Sequence, residues 1–383
     1  MENNYNFQFS ETASVNLYII RILSAELIAI THGIQGIELY KLGDYIGSSA
    51  LMFFFLISGL LVSYSTFGKM RKKNYDFKKY FLRRFSRIYP NLIVVLILIL
   101  IIDTLWFTFM GGIDLFNACN SWTFIFTLLF LNDSAIGYTS FCSARQLWAL
   151  PPIWWLYMFF GWLILGQRTV KKKYVYYILL VIFSFMLILV IMGYHSWNKI
   201  QFSLMWFLGV LFSYFINRMD SYIKNKSQKL GENREKDINS LKRKIIIFSI
   251  ANALILFILA MIRLYFHHDP LDTLYYFLLI GMVFHIIVFS QYTRLRYPEK
   301  VKKGIIFMAN YSLTLYLLHF SIYNLLMDFL KKYLNYILVF LIMFILVNVI
   351  SLVVAYFTEM KSDKVYYYLL KKFNLNELAQ KRK

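Results

Sequence analysis

Ten times between residues 15 and 357 the chain runs through 17 to 22 mostly apolar residues before a polar break. That recurrence limits the fold more than any other feature. About 20 apolar residues in a helix cross the roughly 30 Å hydrocarbon layer of a bilayer, and a spanning segment must satisfy its backbone hydrogen bonds internally. The runs near 15–33, 47–66, 91–110, 147–166, 175–193, 201–217, 245–264, 273–290, 305–326 and 336–357 therefore predict an all-α integral membrane protein, a bundle of about ten transmembrane helices. With 59% hydrophobic and 20% aromatic residues and no second composition along the chain, residues 1–383 read as a single transmembrane domain with no appended soluble one. The first fifteen residues contain no Lys or Arg, so they lack the charged start of a cleavable signal, and the first run is expected to stay in the protein.

A net charge of +21 raises nucleic acid as a partner, but the basic residues lie in short blocks between apolar runs. With the N-terminus inside, the pieces 67–90, 167–174, 218–244, 291–303 and 358–383 carry 34 of the 41 Lys and Arg, and the opposite loops carry 5. Short basic loops resist translocation, so this asymmetry predicts both termini in the cytoplasm and the bilayer, not nucleic acid, as the partner. The basic loops 67–90 and 218–244 and the basic tail 358–383 are the main cytoplasmic features.

The first run, "YIIRILSAELIAITHGIQ", carries Arg21 and His32 inside apolar sequence. Eleven residues make about three helical turns, so the two project from one face about 16 Å apart along the axis. Each alone can be innocent: Arg21 can snorkel to the inner interface and His32 can be a satisfied interfacial histidine. Together they ask for a polar cavity, because a buried cation costs several kcal/mol without a partner. Glu26, five residues from Arg21, points about 140° away and needs another neighbour.

The loop after the second run ends in "RRFSRIYP". Arg84 and Arg87 lie one helical turn apart beside Tyr89, a spacing that lets two guanidinium groups grip phosphate, although a basic loop is first of all a topological signal. Pro90 is expected to open the third span.

Arg21 followed by His32, then "FFFLISGLL", then "RRFSRIYP", in that order and spacing, resemble the acyltransferase-3 family of integral membrane acyltransferases. "NYSLTLYLLHF" at 310–320 resembles its late aromatic and histidine helix, and "FTEMKSDK" at 357–364 the acidic close of its last span. The resemblance implies transfer of an acyl group, acetyl foremost, from cytoplasmic acyl-CoA to a hydroxyl of a cell-envelope glycan or lipid-linked sugar, in the bacterial inner membrane. It implies His32 and Arg21 as catalytic residues, with Arg84, Arg87 and Arg21 on the donor; Tyr89 beside the arginine pair is a further donor candidate, and no metal is expected. Many members also carry an acid after a Trp-Ser-Leu element. Here "QLWALPPIWW" keeps Trp148 and Leu150 but places Pro151 and Pro152 where the acid would fall, so the orienting partner of the histidine is not identified. Some members continue the transfer through an appended soluble domain; this chain would act alone or hand on to a separate extracytoplasmic protein.

Acyl transfer to an alcohol needs a base for the hydroxyl proton and donors for the oxyanion. A neutral imidazole, with an ordinary pKa of about 6.5, suits the first task. His32 is the first candidate and His319 the second; by depth the two can share a cavity. His285 reads as a structural interior residue, and His195, His267 and His268 as solvated loop residues. His319, Trp148 and Tyr316 are candidates for holding the acceptor. Trp122, Trp148, Trp154 and Trp155 are either a sugar-stacking surface or interfacial anchors. Cys119 and Cys142 share one outer segment and are either a disulfide or two free thiols. The competing class is a glycan or lipid-linked-sugar flippase, in which the buried Arg and His line a translocation path and internal inverted symmetry is expected.

Overall fold

The computed structural model describes residues 9–36, 40–70, 72, 74–111, 115–229, 234–267 and 272–375. Helices α1 (Glu11–Gly36), α2 (Tyr40–Lys69), α3 (Phe77–Met110), the short α4 (Leu115–Ala118) and α5 (Ser121–Leu128), α6 (Leu150–Thr169), α7 (Lys173–Ile191), α8 (Ser196–Lys229), α9 (Arg234–His267), α10 (Thr273–Tyr292), α11 (Glu299–Ala309), α12 (Ser312–Leu330), α13 (Tyr336–Phe357) and α14 (Ser362–Lys372) follow one another. Among the described residues there is no strand, and ten segments are long and apolar enough to cross a membrane. The chain is an all-α, multi-pass membrane protein.

Several spans end away from their expected positions, and at two of them a polar contact sets the end. The third starts at Phe77, not at Pro90, because Asp76 caps α3 by accepting the backbone N–H of Lys79 at 3.1 Å. Pro90 therefore sits inside the helix, where a proline is tolerated in a membrane span because neighbours can satisfy the freed carbonyl. The ninth span shifts to Ser312–Leu330, after a break at Asn310 and Tyr311. Glu359 fixes that break: its carboxylate accepts both the N–H and the Oγ1 hydroxyl of Thr314 at 3.0 Å, an anion at a helix N-terminus.

The described residues of 1–24, 48–68 and 204–309 form one compact unit, and those of 25–47, 69–203 and 310–383 another. In the first unit, α2 and α8 approach at paired glycines. A Cβ on Gly59 would lie 2.0 Å from the carbonyl oxygen of Trp206, and one on Gly209 2.1 Å from that of Leu56. Without hydrophobic force between helices in lipid, such small residues let dispersion contacts form. The start of α1 is tied to the end of α10, with Asn16 bonded to Ser290 Oγ at 2.7 Å and to the Tyr297 hydroxyl at 2.6 Å. Asp272 caps α10 and meets Nε of Arg263, on α9, at 2.5 Å.

In the second unit α3 packs against α6, α12 and α14, α6 against α7, and α12 against α13. Gly161 of α6 makes room for Tyr80, whose hydroxyl donates to the Tyr157 carbonyl at 2.9 Å. Between α3 and α6, Cys119 and Cys142 form a disulfide with their Cα atoms 4.4 Å apart. Asp103 of α3 accepts the N–H of Ser143 at 2.9 Å and its hydroxyl at 2.8 Å, which pins the same segment. Asp103 and the two cysteines cluster as metal ligands would, but the sulfurs are bonded to each other. Lys199, expected in an outer loop, lies on α8 and is fully buried, its ammonium donating to the carbonyls of Asp133 at 2.5 Å and Val190 at 3.1 Å.

Candidate active site

About six turns into α1 the chain places His32, partly buried, within the second unit. One turn later Gln35 stands on the same face. His32 Nδ1 lies 2.9 Å from Gln35 Oε1, and Gln35 Nε2 donates to the Asp44 carboxylate of α2 at 2.8 Å. Because a carboxylate only accepts, the amide nitrogen of Gln35 must face Asp44 and its oxygen must face the imidazole. His32 then carries its proton on Nδ1 and leaves the lone pair on Nε2, the tautomer a base needs.

His319 of α12 lies beside it, the ring centroids 5.2 Å apart and the planes inclined by 27°. Phe320 meets the His32 ring edge-on at 5.0 Å. Gly33 brings α1 close to α13, since a Cβ there would fall 2.8 Å from the Phe340 ring. Below the pair, Glu26 accepts the Tyr311 hydroxyl at 2.9 Å and the Asn348 amide at 3.3 Å, so α1, the α11–α12 break and α13 are held together. Burial first, then the Glu26 carboxyl, push the Tyr311 hydroxyl above its ordinary pKa.

On α3, Arg84 lies between two tyrosines, its guanidinium carbon 5.3 Å from the Tyr80 ring centroid and 5.5 Å from that of Tyr157. This stacking fixes the plane of the guanidinium, which is what a bidentate grip requires. Arg87 follows one turn on, also partly buried. Arg83, in the same run, pairs with Asp363 and lies over Tyr366 at 5.1 Å.

The model of the acyltransferase-3 family, described as an acyltransferase domain, matches residues 15–356. The chain belongs to that family. No curated protein and no solved structure matches the chain. The matched range runs from within α1 to within α13 and takes in every candidate residue. As a family member the protein is a membrane acyltransferase.

The remaining candidates divide. Arg21 stands on α1 eleven residues before His32, partly buried, in the part of the helix that groups with the first unit. Tyr89 stacks on Phe85 at 4.5 Å and meets Phe130 and Trp154 edge-on, an aromatic packing cluster. Tyr316 is fully buried and its hydroxyl is given to the Gln146 carbonyl, so it has no free donor for an acceptor sugar. Trp148 packs against His195 at 5.1 Å and Phe202 at 6.2 Å. The four tryptophans make no common sugar platform: Trp154 is buried against Phe130, and Trp155 donates its indole N–H to the Phe130 carbonyl. His285 has aromatic neighbours in Phe248 and Phe284 and lies in the first unit. His195 and His267 are exposed, and His268 lies outside the described residues.

Pro151 and Pro152 occupy the first turn of α6. The acid that sequence reasoning missed is Asp44, which is linked to His32 by way of Gln35. The i to i+3 spacing of His32 and Gln35 was a readable signal; the return of Asp44 from the next helix was not.

Proposed function

We propose that this acyltransferase moves an acyl group, acetyl foremost, from cytoplasmic acyl-CoA to a hydroxyl of a cell-envelope glycan or lipid-linked sugar in the bacterial inner membrane. The observation that carries the reading is the chain from His32 through Gln35 to Asp44, which holds an imidazole lone pair inside a membrane helix.

In this reading His32 Nε2 takes the acceptor's hydroxyl proton as its oxygen attacks the thioester carbonyl. The tetrahedral intermediate collapses with cleavage of the C–S bond, and the imidazolium returns the proton to the leaving thiolate. No net proton is gained or lost. Asp44 and Gln35 keep the ring in its tautomer and orient it, the part an acidic partner plays in other acyl-transfer sites. Arg84, its plane set by Tyr80 and Tyr157, and Arg87 take phosphates of the donor. Arg21 also meets the donor in this reading. Both termini lie in the cytoplasm, and residues 1–383 act as one transmembrane domain. A translocator would also use buried Arg and His, but membership in an acyltransferase family favours group transfer.

Purified protein incubated with labelled acetyl-CoA and a panel of oligosaccharides should transfer label to an acceptor. Sugar movement across vesicles with no covalent label would overturn the proposal in favour of the translocator.

A further inference from the structure

His319 is held differently from His32. Its Nδ1 faces two carbonyl oxygens of its own helix, Leu315 at 3.1 Å and Tyr316 at 2.9 Å. Carbonyls only accept, so the ring's proton sits on Nδ1 and the lone pair on Nε2. That Nε2 is buried and has no hydrogen-bond partner among the described residues. The whole residue is 0% exposed, whereas His32 is only partly buried. A base has to reach a hydroxyl directly or through one water. Of the two rings, only His32 keeps any exposure for that approach. What His319 offers His32 is a ring face: the centroids lie 5.2 Å apart and the planes are nearly parallel. This is within the roughly 6 Å at which an aromatic face attracts a cation.

We infer that His319 is a positioning residue, a neutral aromatic platform that fixes the plane of the His32 ring and supports it as an imidazolium during the transfer. The inference rests on His32 being the base. As the hydroxyl proton arrives on His32 Nε2, positive charge spreads over a ring whose neighbour is a π face. A proton on both rings would instead oppose two cations at 5.2 Å. No hydrogen bond through His319 Nε2 would be lost if the ring were a phenyl. The carbonyls that face Nδ1 already have the helix's own backbone donors.

This distinguishes a platform from a base. His319→Phe keeps a face and removes both nitrogens. His319→Leu removes the face. His319→Gln removes it too but keeps an N–H donor for the α12 carbonyls, so it covers the case in which the leucine variant fails to fold. Each full-length variant would be purified, checked for monodispersity and assayed with labelled acetyl-CoA and the oligosaccharide accepted by the wild type. The expected result is that His319→Phe retains kcat within about threefold, while His319→Leu and His319→Gln lose ten- to a hundredfold in kcat at an unchanged KM for acetyl-CoA. A collapse of His319→Phe to the level of His32→Ala would overturn the platform and make His319 a base. Equal losses for phenylalanine and glutamine would overturn it in favour of packing alone. Near-normal turnover in His32→Ala would strike the underlying base assignment, and it would leave the phenylalanine and glutamine comparison readable by itself.

Discussion

A single lone pair on His32 carries the proposed chemistry, so its removal should have the largest effect of any substitution in the second unit. His32→Ala should lower kcat by about 10² to 10⁴ while acyl-CoA binding survives, as judged by calorimetry beside a turnover assay. Gln35→Leu should keep the imidazole but lose its orienting bond. A hydrogen bond of about 1 kcal/mol corresponds to roughly a fivefold loss in kcat. Equal collapse of both variants would mean that Gln35 itself touches the reacting groups. Arg84→Ala with Arg87→Ala should raise the KM for acetyl-CoA at least tenfold. Arg84→Lys should be nearly as harmful, because an ammonium cannot lie as a flat fork between Tyr80 and Tyr157. Unchanged donor affinity in the double variant would return these arginines to a purely topological role. His32 and the arginines were legible in the sequence because a charge or imidazole within an apolar run is costly and so stands out. Asp44 was not, since it is an ordinary exposed acid until the fold brings α2 to Gln35. The bond of Tyr316 was not legible either: its chemistry invites a ligand, and the Gln146 carbonyl that its hydroxyl meets lies 170 residues away.

Hydrophobic run length placed the helices well wherever lipid was the only competitor. It failed where a local polar bond sets the helix end, as at Asp76 before α3 and Glu359 beside α12. Nothing in a count of apolar residues registers a cap. The glycines at the α2–α8 contact, Gly59 and Gly209, are more than a hundred residues apart, and their pairing becomes visible only in the fold. Here a methyl group has nowhere to go, because it would meet backbone and not a movable side chain. Gly59→Ala and Gly209→Ala should each destabilise the protein by about 1–3 kcal/mol or more through overpacking. Gly304→Ala on α11 is the matched control, with nothing within 4 Å of the added carbon and an expected gain of up to about 1 kcal/mol in helix propensity. Thermal unfolding in one detergent should rank the three in that order. A Gly59→Ala protein as stable as wild type would show that α2 and α8 do not meet at these glycines.

At the scale of the whole molecule, the decisive term is the distribution of charge about the spans. The segments expected inside carry 34 basic residues and those expected outside carry 5. One of the five, Lys199, is not a loop charge at all: it is buried on α8 with its ammonium on two carbonyls, which makes the outer side still poorer in free cations. Insertion reads short flanking loops, and holding a Lys or Arg on the cytoplasmic side is favoured at each of them. The spans must also alternate, so every basic block votes for the same orientation. Reporter fusions at Lys172 between α6 and α7 and at Lys229 at the end of α8 should therefore report the cytoplasm, and a fusion at Gly137 the opposite side. The orientation also ties the chemistry to its compartments: Arg84 and Arg87 near the start of α3 then face the side where acyl-CoA is made, and the disulfide between Cys119 and Cys142 faces the side where thiols oxidise. An external signal at Lys172 or Lys229 would reverse both assignments at once, leaving the arginines without a donor and the disulfide in a reducing compartment.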